Sequence, residues 1–250
     1  MCHGVIRRIA PAASIIDVAH GIPPQAVLQG ALALADALPY LPIGVHVAVV
    51  DPDVGGNRRA VALRDRDGRL LVGPDNGLLA LATAERGGVE AAVELVEPAY
   101  RLHPVSDTFH ARDVFCPAAA HLASGVDLDA LGPAVDPATL ARLALPVAFV
   151  GDGEARGPVL GVDTFGNATL GLRRADLKTA GLHPGTPVEL VVGGRRASAR
   201  VARTYADVEP GALVVYESSF GRVEVAVSRG DAASRLGLEA GTGVVLRRGA

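Results

Sequence analysis

The sequence predicts two domains. The first, residues 1–145, is expected to be an α/β unit with a mostly parallel sheet flanked by helices, and the second, residues 146–250, an all-β, barrel-like unit. Three observations carry this expectation. Short apolar runs alternate with helical patterns through the first part of the chain, as in strand–helix–strand folds. From about residue 146 that alternation gives way to short β-like runs separated by glycine-rich turns. A length of 250 residues holds one large domain or two modest ones.

Val5, Ile6 and Ile9 form a helical face at the very start, with no strand before it. Residues 14–18, apolar apart from Asp17, and residues 45–50 suit buried strands. Between them, residues 24–38 place Val27, Leu28, Ala31, Leu34, Ala35 and Leu38 at helical spacing, with Pro24 near the helix start and Pro39 ending it. Residues 59–64 and 69–72 read as a hairpin, because Asp67-Gly68 supplies the positive φ of a tight turn. Residues 76–86 form a further helix closed by Gly87 and Gly88. Another runs from 113 to 124, with Asp113 near its N-terminus, Pro117 in its first turns and Gly125 just beyond its end.

In the second domain, strands are expected at 158–162, 188–192, 198–203, 212–216 and 222–227, a spacing that fits a small antiparallel barrel or sandwich. Residues 151–157 are either the connection between the domains or the first barrel turn.

Composition narrows the function classes. Lys and Arg number 24 against 27 Asp and Glu, and the arginine pairs are scattered, so no nucleic-acid track is expected. Lys178 is the single lysine, which argues against Schiff-base chemistry and a phosphate-binding P-loop. Cys2 and Cys116 are too few for a disulfide framework, which points to a reducing compartment and makes the cytoplasm the expected location. The most apolar stretch, residues 31–50, is interrupted by Asp36, Pro39, Pro42 and His46, so neither a membrane span nor an export signal is expected.

Asp51 follows Val47-Ala-Val-Val and so falls at the carboxyl end of a strand, where open α/β sheets bind ligands. It also sits in Asp-Pro-Asp-Val-Gly-Gly, which taken alone reads more readily as an ordinary turn. Arg58 could fold back to meet Asp51 or could pair with Asp53. Residues 106–113 pack His110, two carboxylates and Arg112 just before a helix; His110 could be a general base, or the cluster could simply cap the helix. The remaining histidines show no ligand spacing, and no metal is expected. Ser219 lacks the elbow of a serine hydrolase. Asp163-Thr-Phe-Gly-Asn is either a turn or a recognition loop, in which Asn167 pairs with an amide-edged heterocycle and Phe165 or Tyr205 stacks on it.

Six stretches then stand together: residues 20–25 (His-Gly-Ile-Pro-Pro-Gln), 47–59 (Val-Ala-Val-Val-Asp-Pro-Asp-Val-Gly-Gly-Asn-Arg-Arg), 72–79 (Val-Gly-Pro-Asp-Asn-Gly-Leu-Leu), 108–113 (Thr-Phe-His-Ala-Arg-Asp), 163–167, and 216–221 (Tyr-Glu-Ser-Ser-Phe-Gly). In this order they resemble the S-adenosylmethionine hydrolases, or SAM hydroxide adenosyltransferases, the broad family that also holds the fluorinase and chlorinase. The resemblance covers essentially the whole chain.

It implies hydrolysis of S-adenosyl-L-methionine to adenosine and L-methionine at the ribose C5′ carbon, without a cofactor. The family's water-activating triad falls on Asp51, Arg58 and His110, with the base unassigned between Asp51 and His110. By the same resemblance Asn167 reads adenine, Tyr205 and Phe165 flank it, Asp163 and Ser219 hold the methionine ammonium and carboxylate, and the segment from Glu224 through Val227 to Arg229 closes around the adenosine, partly through backbone groups. A homotrimer with sites shared between subunits is implied as well.

Halogenating relatives carry an aromatic hydroxyl where Asp51 stands, a hydroxyl residue at Val54 and a serine at Ala111, so hydrolysis is preferred over halogenation. A non-catalytic SAM or adenosine sensor is the alternative from another class. Relatives also open with a strand and an Asp-Phe-Gly-like loop that binds the ribose diol. The chain as written has neither, so weakened adenosine binding and an unfilled sheet position are expected.

Overall fold

The computed structural model describes residues 1–249 and resolves into two compact units, Met1–Leu143 and Ala144–Ala250. In the first unit, α1 (Cys2–Ile9) and α2 (Val27–Ala37) precede β1 (Val45–Val47). Then come β2 (Ala60–Asp65), β3 (Leu70–Pro74), α3 (Leu78–Ala84), β4 (Val89–Glu94) and α4 (Cys116–Ala123). The sheet order is β1-β3-β2-β4.

This sheet is mixed, which corrects the expectation of a mostly parallel one. β1 pairs with β3 in parallel, whereas β2 pairs antiparallel with both β3 and β4. The reason is the Asp65–Arg69 turn. It sends β3 back along β2, and the α3 crossover then lays β4 on the other edge of β2. β1, β3 and β4 therefore share one direction, and the strand inserted among them runs against it.

Side chains alternate across the sheet as the two-residue period requires. Val61, Leu63 and Leu71 face Ala31, Leu34, Leu78 and Ala82 of α2 and α3. Ala62 and Val72 face Val114, Phe115, Ala118 and Leu122 on the other side. Each fully buried leucine contributes roughly 1.5–3 kcal/mol of transfer free energy, so these two layers fix the sheet rigidly enough to carry a site on its loops.

Residues 14–18 are a second correction. They form no strand, and Ile16 and Val18 are exposed. A strand exists only in a ladder, and among the described residues this segment has no strand partner; Asp17 instead bonds with His3 and His20. The helix expected from residue 24 begins at Val27, because Gln25 takes a left-handed backbone, φ 66°.

The second unit contains β5 (Phe149–Gly151), β6 (Glu154–Val162), β7 (Ala168–Arg173), α5 (Arg174–Thr179), β8 (Pro187–Val192) and β9 (Arg195–Val201), then β10 (Leu213–Glu217), β11 (Arg222–Val227), α6 (Ala232–Leu236) and β12 (Gly243–Arg248). Strands β12-β8-β9-β10-β11-β7-β6 close into a seven-stranded barrel through the β12–β6 pairing, with β5 added alongside β6. Residues 151–157 thus belong to the β5–β6 hairpin, whose second strand enters the barrel.

One pairing departs from the antiparallel expectation: β9 and β10 run in parallel, joined by the long connection that carries Tyr205. Leu170, Leu190, Val215, Val223, Val225 and Leu246 fill the interior. No helix among the described residues is long and apolar enough to cross a membrane.

Candidate active site

Three local features of the first unit converge on one point. The chain stays extended beyond β1, with the Ala48 amide donating to Val72 O at 3.1 Å. Gly73 makes this close approach possible, since a Cβ there would lie 2.3 Å from Ala48 O. Asn76 Nδ2 donates to Val50 O at 2.7 Å and fixes the strand's carboxyl end. Asp51 is the next residue.

The turn after Asp51 holds Gly55 at φ 76°, and a Cβ at this position would lie 2.3 Å from the carbonyl oxygen of Asp107. Only glycine fits such a backbone approach without strain. The 51–58 turn therefore lies directly on the loop that carries His110.

That loop is held by Asp113. Its buried carboxylate accepts from the Ser106 amide at 2.9 Å and from Arg112 Nε and Nη2 at 2.6 and 2.7 Å. These donors, Arg112 above all, hold the Asp113 carboxyl below the usual carboxylate range. Ala111–Phe115 then form a π-helical turn before α4. Pro117 has no amide to offer the Asp113 carbonyl, and Leu102 N donates to that carbonyl instead at 2.9 Å. The expected single helix is therefore wider in its first turn, where it leaves His110.

The structure brings Asp51, Arg58 and His110 into mutual contact. Arg58 Nε lies 3.0 and 3.1 Å from the two Asp51 carboxylate oxygens, and Nη2 lies 2.5 Å from Oδ2. The same Nη2 lies 2.7 Å from His110 Nδ1. Arg58 and Asp51 side chains are only 8% and 6% exposed, and the guanidinium stacks 5.3 Å from the Phe115 ring centre. Asp53, the other possible partner, plays no part in this contact.

Burial, followed by the Arg58 charge, lowers the His110 pKa from its ordinary value; Asp51 opposes the shift. A cavity of about 160 Å³ adjoins the group, lined by Gly56, Arg58, Glu94, Arg101, His110 and Val114. Its buried Arg101 Nε meets no protein acceptor. A polar space of that size accommodates water.

In the barrel unit, a continuous hydrogen-bonded chain links most of the other sequence candidates. Asp163 Oδ1 accepts from the Phe165 and Asn167 amides at 2.8 and 2.9 Å, and Oδ2 accepts from Asn167 Nδ2 at 2.8 Å. Asn167 Nδ2 reaches Tyr205 Oη at 3.4 Å. Tyr205 Oη bonds Tyr216 Oη, which donates to Glu224. Thr169 donates to the other Glu224 oxygen at 3.1 Å. Burial and the Glu224 bond push the Tyr216 hydroxyl well above the usual tyrosine range, so it stays a donor.

Phe165, in the same loop as Asp163 and Asn167, is exposed, and Tyr205 is partly so. Ser219 lies in the exposed turn between β10 and β11, outside the chain of bonds. Val227 is placed differently: its side chain belongs to the barrel core, on the opposite face of β11 from Glu224, so only its backbone can meet a ligand there. Tyr216, which bridges Tyr205 and Glu224, and Gly55 lie within the stretches that carry the family resemblance, but the sequence assigns them no role; alternation along β10 marks Tyr216, whereas nothing local marks the neighbour of Gly55.

Comparison with known proteins follows the same division. The model for the SAM hydroxide adenosyltransferase N-terminal domain matches residues 1–132, and that for the C-terminal domain matches residues 157–245. The chain belongs to the SAM hydroxide adenosyltransferase family. A family relative named (R)-S-adenosyl-L-methionine hydrolase, from Salinispora tropica, is 48% identical over 240 residues, covering 96% of this chain and 88% of its own. A protein of the same name from Thermus thermophilus is 46% identical over 249 residues, covering 97% and 91%.

A fluorinase from an Actinoplanes species is more distant, 28% identical over 274 residues, covering 99% of this chain and 92% of its own. Among solved structures, an uncharacterized conserved protein from Thermotoga maritima superimposes with a TM-score of 0.91 at 32% identity, covering 99% of this chain and 94% of that one. The family's two domains thus account for residues 1–132 and 157–245, and the likeness to the Thermotoga maritima structure extends over 99% of the chain.

Proposed function

We propose that this family member is an S-adenosyl-L-methionine hydrolase, forming adenosine and L-methionine with Asp51, Arg58 and His110 as its water-activating group. The observation that carries the reading is the closed Asp51–Arg58–His110 contact, in a chain nearly half identical to relatives named as hydrolases of this substrate.

The chemistry needs little beyond this group. Water attacks C5′, the C5′–S bond breaks with its electron pair going to sulfur, and the cationic sulfonium becomes a neutral thioether. One water proton must leave. Arg58 has only donors, so the His110 nitrogen beside it, Nδ1, must offer its lone pair, and neutral His110 carries its proton on Nε2. His110 is then a donor toward the reacting oxygen, and Asp51 is left as the base. Each Asp51 oxygen bonded by Arg58 retains lone-pair capacity to take the proton. Arg58 orients that carboxylate and, with the Nε2–H, stabilises the developing hydroxide.

In this reading the barrel's Asp163–Asn167–Tyr205–Tyr216–Glu224 chain and the exposed Phe165 and Ser219 supply the adenosine and methionine contacts. An amide suits an adenine edge, and a carboxylate suits the ammonium. No metal or other cofactor is required, the enzyme works in the cytoplasm, and three chains assemble so that neighbouring subunits complete each site.

Incubation with S-adenosyl-L-methionine, without halide or metal, tests the activity by chromatography of adenosine and methionine. Turnover supports the hydrolase; binding without product supports the sensor. Light scattering after gel filtration tests the trimer.

A further inference from the structure

We propose that His3, Asp17 and His20 form a binding site for a divalent transition metal, of the two-histidine, one-carboxylate kind, that clasps α1 to the segment leading into α2. His3 Nε2 lies 2.8 Å and His20 Nε2 2.9 Å from the same oxygen, Asp17 Oδ1. One ligand atom from each residue falls within 4.8 Å of the other two. The imidazole rings lie 6.3 Å apart at 64°, so they approach that common point from different directions.

The spacing of 17 residues between the histidines gives no ligand signature in sequence. The fold supplies it: His3 sits in the first turn of α1, and Asp17 and His20 lie on a non-helical stretch that comes back past it.

The donor set defines the class of ion. Two imidazoles and one carboxylate suit Zn²⁺, Co²⁺ or Ni²⁺, whereas Ca²⁺ and Mg²⁺ demand more oxygen ligands. The Asp17 carboxylate, which both histidines already meet at one oxygen, supplies the anionic ligand. Metal–nitrogen and metal–oxygen bonds of about 2.0–2.2 Å need only small side-chain shifts. All three side chains are at least half exposed, so packing does not oppose those shifts, and on metal binding each Nε2 exchanges its hydrogen bond to Asp17 for a bond to the ion, with the ring proton on Nδ1. Three protein ligands leave open positions for water, and the exposure predicts moderate affinity.

The segment has reason to need a clasp. α1 has no buried residue, and residues 14–18 have no strand partner among the described residues. The ion would add a cross-link within this part of the fold, and binding that favours the folded state stabilises it. None of its ligands belongs to the Asp51–Arg58–His110 group, so the role is structural.

The test is a Co²⁺ titration of the full chain, read from visible d–d absorption, with Zn²⁺ as competitor. One equivalent should bind, and His3→Gln, Asp17→Asn and His20→Gln should each weaken binding by more than about tenfold. Cys2→Ser should leave binding unchanged, and Zn²⁺ should slow proteolysis within residues 10–22 until a chelator is added. Absence of binding up to millimolar Co²⁺, or affinity unaffected by the three ligand variants, would overturn the proposal. Loss of binding in Cys2→Ser would overturn this ligand set.

Discussion

Arg58 and His110 lie 2.7 Å apart through Nη2 and Nδ1, and the contact has only one chemically sensible polarity. A guanidinium has five donors and no acceptor, so Nδ1 must be unprotonated. The same arginine forks onto Asp51, which makes it the hub through which a carboxylate and an imidazole 59 positions apart in sequence share one geometry.

Protonation of His110 should therefore disrupt the site. Burial, with Arg58 next in weight, depresses its pKa in the folded protein. An unfolded chain takes up this proton near the ordinary value of about 6.5. Stability from neutral His110 is thus fully present above about pH 6.5 and is lost as pH falls through the lower folded value. The rate of adenosine formation should stay level above that pH and decline on the acid side with a midpoint below it. A pH–rate profile with an NMR titration of His110 checks this; a midpoint above 6.5 would contradict it.

Arg58→Lys keeps the charge but loses the planar fork that holds Asp51 and His110 together. Turnover should fall by about a hundredfold or more, with KM changing by no more than about threefold. Steady-state kinetics separate the two parameters, and a variant retaining wild-type turnover would remove Arg58 from the mechanism.

Gly55→Ala tests how the group is assembled. The added methyl meets the Asp107 carbonyl in a left-handed backbone, so it should cost about 1–3 kcal/mol of stability and separate the Asp51 turn from the His110 loop. Urea unfolding measures the first effect and single-turnover kinetics the second. An unchanged midpoint and rate would show that the two loops do not depend on this approach.

The architecture is more legible in the sequence than the strand pairing. The helical face of Val27, Ala31 and Leu34 and the Asp-Gly hairpin were legible because periodicity and turn chemistry are local. The direction of β2 between β3 and β4 was not, since strand order follows long-range packing. Residues 14–18 carry an apolar run without forming a strand, because such a run makes a strand only where a partner strand exists. At the candidate site, Asp51, Arg58 and His110 could be named, but their contact depends on Gly55 meeting Asp107, which no short-range pattern encodes. Val227 enters the candidate site only through the family resemblance, and the two-residue alternation of β11 turns its side chain into the barrel.

Cys116 is buried, and burial and the neighbouring Cys2 thiol push its own thiol up to about 12. Thiolate is the reactive form, so iodoacetamide at pH 8 should leave Cys116 unlabelled in the native protein and label it on unfolding. Peptide mapping by mass spectrometry decides; rapid native labelling would mean that α4 opens.

Single-turnover hydrolysis of S-adenosyl-L-methionine in ¹⁸O-water, comparing wild type with Asp51→Ala and measuring substrate binding in both, tests the central claim most directly. The expected result is adenosine with one solvent oxygen on C5′ from the wild type, and a rate lower by about a hundredfold or more in the variant at similar affinity. Adenosine formed equally fast by Asp51→Ala, or intact substrate with the wild type, would contradict it.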